Sequence, residues 1–126
     1  MVYSAEIKIT FDNIRNDKGS VLILVFNQAD GFPDKHTKAI RQYRVSVQKA
    51  REGVKIDSLA SGYYAVSAVH DENSNSKLDK NFVGIPKEGV GFSNNPKILF
   101  SAPNFNKSKF LLNSMIFELN VKMIYY

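Results

Sequence analysis

The stretch Phe117-Glu118-Leu119-Asn120-Val121-Lys122-Met123 alternates strictly between apolar and polar residues. Because successive side chains of a β-strand point to opposite faces, this pattern predicts a strand with one buried face and one solvated face. The stretch Ala5–Phe11 follows the same rule, with Ile7, Ile9 and Phe11 on one face. Both ends of the chain therefore predict half-buried strands.

The segments between these two strands also favour β-structure. Val21–Phe26 is apolar without interruption, which predicts a central strand that is covered on both faces. Turn signals at Asn16–Gly19, Glu52-Gly53 and Ser61-Gly62 separate the segments. Val54 and Ile56 are predicted to begin a further strand, and other strands are predicted at Tyr63–His70, Ile98–Phe100 and Lys109–Leu112.

Residues 40–50 fit two patterns. A helix face would contain Ile40, Tyr43, Val47 and Ala50, whereas a strand face would contain Tyr43, Val45 and Val47. We predict a short turn near Lys38 followed by a strand that begins at about Gln42. If residues 42–50 form a strand, Arg44 lies on the face opposite Tyr43, Val45 and Val47.

Length and composition are those of one domain over residues 1–126. The chain weighs 14.2 kDa, has a formal net charge of +5, and contains fifteen Phe and Tyr residues, which is enough apolar material for a single core. It has no cysteine, which excludes a disulfide-stapled fold, a thiolate zinc site and a cysteine nucleophile. No apolar run reaches the roughly 18 residues of a membrane helix. We predict an all-β, single β-sandwich of about seven strands.

The first residues, Met1–Glu6, lead directly into a strand and contain neither a basic nor an apolar leader region. Two interpretations stay open: a cytoplasmic protein, or a chain whose leader has been removed. The missing cysteines are compatible with both.

Residues 71–97 are predicted to form a long loop, and its first part carries oxygen ligands at regular spacing. The residues at relative positions 1, 3, 5, 7 and 9 are Asp71, Asn73, Asn75, Lys77 and Asp79, with Lys77 offering its backbone carbonyl. This matches most of an EF-hand-type calcium loop, in which alternate residues point toward the ion. The spacing therefore predicts a metal site, with Ca²⁺ as the candidate cofactor.

The match to a calcium loop is incomplete. Position 6 usually carries glycine and here is Ser76, and position 12 usually carries glutamate and here is Phe82. Glu72, Asn81 or Glu88 are alternative late ligands. We expect weak binding, with a dissociation constant of roughly 10⁻⁴–10⁻³ M. The alternative is a metal-free loop that is held by Asp and Asn side chains bonded to nearby backbone.

Other chemistry is poorly supported by the sequence, so we expect no enzyme activity. His36 and His70 lack partners at zinc-ligand spacing, and we expect His70 to order the loop by hydrogen bonding. Ser93 does not sit in a nucleophile elbow, and its surroundings predict a turn with amide hydrogen bonds. A hydrolase that uses the loop carboxylates Asp71, Glu72 and Asp79 is a remote alternative.

Two surface features have both a functional and a structural interpretation. Basic residues crowd the 35–55 segment, at Lys35, Lys38, Arg41, Arg44, Lys49, Arg51 and Lys55. They fit either a polyanion-binding patch or a solvated edge strand, and we expect no nucleic-acid partner because no recognition motif accompanies them. Phe82, Phe92 and Phe105 fit either a contact surface or a loop folded back over the core.

The loop and its surroundings resemble a known family. The blocks His70–Asp79 and Asn81–Asn95, the upstream segment Leu59–Val66, the Phe105–Phe110 segment and the last strand together resemble domain-of-unknown-function family 2141 of bacteria. The resemblance covers nearly the whole chain. The sequence departs from the family at Ser74 and Ser76, where members usually carry glycine.

The resemblance implies a small exported β-sandwich of immunoglobulin-like or transthyretin-like Greek-key type, in the periplasm or outside the cell. It implies no established activity. Taken together, we expect an exported non-catalytic binding or interaction module for a protein or glycan partner, stabilised by a weak calcium site in the 71–79 loop. The main alternative is a purely structural accessory domain with a metal-free loop.

Overall fold

The computed structural model describes residues 4–73, 88–97 and 102–125. These residues form eight β-strands and two short α-helices. In chain order they are β1 Ala5–Asp12, β2 Ser20–Phe26, β3 Arg41–Ser46, α1 Val47–Glu52, β4 Val54–Leu59, β5 Gly62–Asp71, β6 Gly89–Phe92, α2 Phe105–Ser108, β7 Phe110–Leu112 and β8 Ile116–Lys122. The all-β prediction is confirmed, with eight strands in the described part where about seven were expected.

The strands form two sheets. The first has the order β4-β1-β8, and its β1 and β8 run parallel, with Ile7 beside Phe117 and Phe11 beside Val121. The second has the order β3-β2-β5-β6, and β7 pairs with the first residues of β5. The ladders of the second sheet that join β2, β3, β5, β6 and β7 are antiparallel. This is a sandwich-like arrangement, as predicted.

The core lies between the two sheets and follows the predicted alternation. Ile7 and Ile9 of β1 are fully buried, and so are Val21 and Ile23 of β2 and Val121 of β8. The intervening polar residues of β1 and β8 face solvent. The period of two that is visible in the sequence therefore corresponds directly to burial.

Short contacts join the sheets along both sides. On one side, Val90 of β6 and Ile124 exchange two backbone hydrogen bonds of 2.9 and 2.7 Å. On the other side, Arg41 of β3 donates to the carbonyl oxygens of Asp57 and Ser58, each at 3.0 Å. The sandwich is thereby linked at the β6–β8 side and at the β3–β4 side.

The prediction of a strand over residues 42–50 is half wrong. The predicted turn near Lys38 is one turn of 3-10 helix at His36–Lys38, and β3 then ends at Ser46, where α1 begins. The hydroxyl of Ser46 accepts the backbone N–H of Lys49 at 3.0 Å, which caps the helix and ends the strand. Arg44 lies on the exposed face of β3, as predicted.

The prediction of a continuous loop over residues 71–97 is also wrong, because Gly89–Phe92 forms β6 against β5. Glycine-rich sequence gives little strand signal, yet β5 supplies the hydrogen-bonding partner. The strand predicted at Ile98–Phe100 lies outside the described residues. The prediction at Lys109–Leu112 is confirmed as β7.

A second apolar cluster lies on the outer face of the β2–β5–β6 sheet. The ring of Phe32 packs edge-on against Phe26 at 5.2 Å and against Phe105 at 6.1 Å, and it lies 6.2 Å from Phe92. Phe92 and Phe105 therefore fold chain segments onto the sheet, whereas Phe82 lies outside the described residues. No helix in the described part of the chain is long and apolar enough to span a membrane.

Candidate functional site

The candidate site lies at the end of the sandwich where β5 ends and β6 begins. We call residues 70–73 and 88–90 the loop base, because they are the described residues that flank the candidate loop on its two sides. β5 and β6 are antiparallel neighbours, and His70 pairs with Gly89. Sheet pairing thus fixes the distance between the two limbs of the loop.

Asp71, the first predicted calcium ligand, is the last residue of β5 and is fully buried. Its Oδ2 lies 3.6 Å from Nη1 of Arg44, which also donates to the hydroxyl of Ser20 at 2.9 Å. Gly19 passes so close that a Cβ there would lie 1.9 Å from the carbonyl oxygen of Asp71. The backbone and the carboxylate of Asp71 are therefore both held by the neighbouring strands.

Glu72 faces the connection between β1 and β2. Its carboxylate accepts hydrogen bonds from Arg15 and, at 2.8 Å, from the amide of Asn16. Burial alone would raise the pKa of Glu72, but the hydrogen bonds from Asn16 and Arg15 and the charge of Arg15 outweigh burial and lower this pKa below its usual value. Glu72 is therefore ionised at neutral pH and bound to the protein's own cation.

Glu88 returns the chain to the loop base. Its side chain is buried, and Oε2 accepts the backbone N–H of Glu72 at 2.9 Å. A carboxylate from the returning limb thus lies against the first turn of the outgoing limb. Of the three alternative late ligands, Glu72 and Glu88 both lie in the loop base and are joined by this hydrogen bond, whereas Asn81 lies outside the described residues.

The predicted ligand set is only partly within the described residues. Asp71 and Asn73 are described, and Asn73 is exposed. Asn75, Lys77 and Asp79 lie outside the described residues. Within the described ranges, no three His, Asp or Glu side chains are close enough together to hold a metal ion.

His70 makes two hydrogen bonds that join the end of β5 to Lys18 and Tyr125, and the predicted ordering of the 71–97 loop stays a prediction. His70 is fully buried, with Nε2 2.7 Å from the carbonyl oxygen of Lys18 and Nδ1 2.8 Å from the hydroxyl of Tyr125. Because a carbonyl only accepts, Nε2 carries the proton and Nδ1 accepts from Tyr125. The Tyr125 oxygen in turn accepts the backbone N–H of Arg15 at 3.1 Å. Burial raises the pKa of Tyr125, which favours this hydroxyl form.

The segment Ser93-Asn94-Asn95 binds three different parts of the fold. The buried hydroxyl of Ser93 accepts the N–H of Val66 at 2.9 Å and donates to the carbonyl of Ser108. The amide of Asn94 donates to the carbonyl of Lys109 at 2.6 Å. This is the predicted turn with amide hydrogen bonds, and it connects β6 to β5, α2 and β7.

Asn95 extends the same connection to the first sheet. Its Oδ1 accepts the N–H of Lys122 at 2.8 Å, and its Nδ2 donates to the carbonyl of Asn120 at 3.0 Å. The side-chain amide thus takes the place of a neighbouring strand along part of β8.

Much of the basic cluster is bound within the protein. Arg41 binds carbonyls of β4, Arg44 lies beside Asp71, and Arg51 pairs with Asp17 at 3.0 Å. Lys38 lies 3.3 Å from Asp30. These contacts give the arginines structural roles.

The fold and site were compared with known proteins. No curated protein and no solved structure matched the chain. A protein-family model described as "uncharacterized protein conserved in bacteria" (DUF2141) matches residues 9–117, which include every strand from β2 to β7 and the whole loop base. The match spans well over half of the sequence and agrees with the resemblance noted above, and the chain therefore belongs to the DUF2141 family.

Proposed function

We propose that this protein is an exported, non-catalytic binding domain whose 71–79 loop binds Ca²⁺ weakly. The observation that carries the proposal is the position of Glu88. The buried carboxylate of Glu88 lies against the first turn of a loop whose Asp and Asn residues follow calcium-ligand spacing.

The chemistry of the loop base suits a hard cation. Calcium takes six to eight oxygen ligands at roughly 2.3–2.6 Å, commonly including carboxylates from both ends of one loop. Asp71 at the start and Glu88 at the return are both buried acids at the mouth of this loop. A divalent cation at this mouth would add its attraction for carboxylate oxygens to the contacts that Asp71 and Glu88 already make within the fold.

The same geometry supports weak affinity. Arg44 already places a cation 3.6 Å from the Asp71 carboxylate, and Arg15 neutralises Glu72. Calcium would have to bind against these charges, which favours a dissociation constant of roughly 10⁻⁴–10⁻³ M. Such a site fills only where calcium is millimolar, which fits the periplasmic or extracellular location that the family resemblance implies.

Calorimetric titration with Ca²⁺ and thermal unfolding at millimolar Ca²⁺ test the proposal, with Mg²⁺ as the comparison ion. Asp71→Asn and Glu88→Gln should each weaken binding at least tenfold, because each removes a charged ligand while keeping its shape. Glu118→Gln, on the exposed face of β8, is the matched control and should bind as the wild type does. Absence of heat and of any rise in Tm would refute the calcium site.

The second candidate is a structural domain with a metal-free loop. The ion pair between Asp71 and Arg44 favours it, because this carboxylate already has a cationic neighbour without any metal. In that case the exchange protection of the loop-base amides would be the same with and without Ca²⁺. The protein or glycan partner of the domain would then bind to a surface that calcium does not shape.

A further inference from the structure

We infer that the end of the sandwich opposite the loop base docks on the surface of a lipid bilayer with anionic headgroups. We call it the distal end, where β1, β3, β5 and β8 begin and β2 and β4 end. The inference is independent of the proposed calcium site, because it rests on side chains at the other end of the strands.

Exposed apolar side chains concentrate at the distal end. Among the residues that the structure describes, five large apolar side chains are well exposed, and all five lie at this end: Ile40 at 38%, Tyr63 at 53%, Leu111 at 42%, Met115 at 72% and Ile116 at 58%. A single exposed apolar side chain is ordinary, whereas several at one end of a molecule mark an interaction surface.

Strand pairing places these side chains on both faces of the sandwich. Tyr63 of β5 pairs with Leu111 of β7, and both lie on the outer face of the second sheet, each next to a core residue. Ile116 begins β8 on the outer face of the first sheet. Met115 lies in the short connection between β7 and β8. The exposed apolar groups therefore surround the end of the sandwich.

This arrangement favours a fluid partner over a rigid one. A flat protein surface can cover one face of the end, whereas the interfacial region of a bilayer can surround it. Apolar side chains gain free energy by entering the boundary between headgroups and acyl chains. Tyr63 suits the same boundary, because its ring is apolar and its hydroxyl stays in contact with water.

Lysines beside this group give it charge that is complementary to anionic headgroups. Nζ of Lys109 lies 5.0 Å from the ring centroid of Tyr63, and Lys107 is exposed in α2, directly before β7. Residues 89–117 contain three lysines and no Asp or Glu. Glu6, which lies beside Ile116 in the first sheet, is half-buried. The β7 side of the distal end is therefore basic.

Co-sedimentation of the full chain with vesicles, without calcium, tests the proposal. The wild type should bind vesicles of equal parts phosphatidylglycerol and phosphatidylcholine more tightly than vesicles of phosphatidylcholine alone. Lys107→Gln and Lys109→Gln should each weaken binding to the anionic vesicles about fivefold. Lys49→Gln and Lys122→Gln are the matched controls. They remove the same charge at the opposite end, beyond the roughly 10 Å range of screened charges, and should leave the affinity unchanged.

Single-tryptophan variants test insertion of the apolar side chains, because the chain contains no tryptophan. The emission of Met115→Trp should shift to shorter wavelength on binding and should be quenched by brominated lipids. Gln48→Trp, on the exposed side of α1 at the opposite end, is the control and should show neither effect. Met115→Asn combined with Ile116→Asn should weaken binding about tenfold and leave Tm unchanged, since both side chains are exposed.

Three outcomes would overturn the proposal. The first is a wild type that does not sediment with the anionic vesicles at low salt. The second is equal quenching of Met115→Trp and Gln48→Trp, which would indicate a general attraction of the basic chain to the vesicles. The third is self-association in analytical ultracentrifugation that the combined Met115→Asn and Ile116→Asn substitutions abolish, without vesicle binding, which would make the distal end a protein interface.

Discussion

Gly91 lies in β6 where β8 and the residues after it cross the sheet, and replacing it by alanine should destabilise the core. A Cβ at this position would lie 2.5 Å from Cγ1 of Val121 and 2.8 Å from Sδ of Met123. Both side chains are fully buried, so neither can turn out into solvent. The extra methyl group must displace one of them.

The expected cost follows from overpacking and from backbone freedom. Overpacking a close-packed core costs about 1–3 kcal/mol, and alanine recovers about 0.5–1 kcal/mol of the backbone entropy that glycine loses in a strand. We expect Gly91→Ala to lower the free energy of unfolding by about 1–2 kcal/mol. For a chain of 126 residues, 1 kcal/mol corresponds to about 4 °C in Tm.

A double-mutant cycle with Val121→Ala tests this explanation by calorimetry or denaturant unfolding. Val121→Ala removes the methyl group that the new Cβ would meet. The double variant should therefore lose about 1–2 kcal/mol less unfolding free energy than the sum of the losses in the two single variants. Val25→Ala is the control, because Val25 is equally buried but lies in β2, which β5 separates from β6. Additive effects with Val121→Ala, or an unperturbed Gly91→Ala, would show that the close approach does not constrain β6.

Arg44→Gln removes a charge that competes with calcium and should tighten calcium binding about three- to tenfold, for a separation of about 6 Å between the ion and the guanidinium in screened water. Arg44→Lys keeps the charge and should not tighten binding. Equal affinities of Arg44→Gln and the wild type in calorimetry would contradict this. Asn95→Ala exposes two backbone groups of β8 and should lower Tm by about 4–8 °C, with Asn95→Asp recovering part of the loss. Hydrogen peroxide should oxidise Met115, which is 72% exposed, before the buried Met123. Mass spectrometry measures the order of oxidation, and oxidation of Met123 first would contradict this prediction. Burial raises the pKa of Tyr125, so the contribution of this residue to stability is complete below about pH 10 and is lost as the pH rises through the raised pKa. Between about pH 9 and 11, Tyr125→Phe should therefore lose less stability than the wild type. Equal losses of stability in the two proteins would count against this explanation.

The strands that could be predicted are those in which the order of apolar and polar residues matches the order of buried and exposed residues. β1 and β8 alternate between apolar and polar residues because one face of each packs on the core while the other meets water. β2 is continuously apolar because strands flank it and both of its faces are largely covered. In each case a local pattern records a property of the finished fold.

The elements that were missed depend on partners far away in sequence. β6 contains Gly89 and Gly91, whose small size makes room for Tyr125, Val121 and Met123. Because these positions carry glycine instead of residues typical of strands, the sequence of β6 does not predict a strand. Helix α1 had local signals at both ends, in the Ser46 cap and in Gly53. The apolar alternation through residue 47 outweighed them.

In the candidate site too, features that depend on neighbouring residues could be predicted, and contacts between distant residues could not. The ligand spacing from Asp71 could be read directly, and Glu88 was one of three alternatives. The contact between Asp71 and Arg44 depends on β5 and β3 both lying beside β2, and the contact between His70 and Tyr125 joins residues 55 positions apart. Tyr125 gave no signal in the sequence, and for Asn95 the sequence predicted a turn with amide hydrogen bonds but not its contact with β8, because each acts on a segment that only the folded chain brings near.

Packing explains some residues in and near the loop base better than others. Gly89, Gly91 and the Ser93–Asn95 turn are accounted for by close approaches and backbone hydrogen bonds, so the fold itself needs them. The buried carboxylates of Asp71 and Glu88 are different, because each ion removed from water costs several kcal/mol before its partners compensate, and an apolar pair could join the same strands at least as well. Both carboxylates have partners within the fold, since Asp71 lies beside Arg44 and Glu88 accepts the backbone N–H of Glu72. The variants Asp71→Asn and Glu88→Gln separate the two roles: a loss of stability that Ca²⁺ does not influence would indicate a structural role, and the loss of a calcium effect seen in the wild type would support the proposed site.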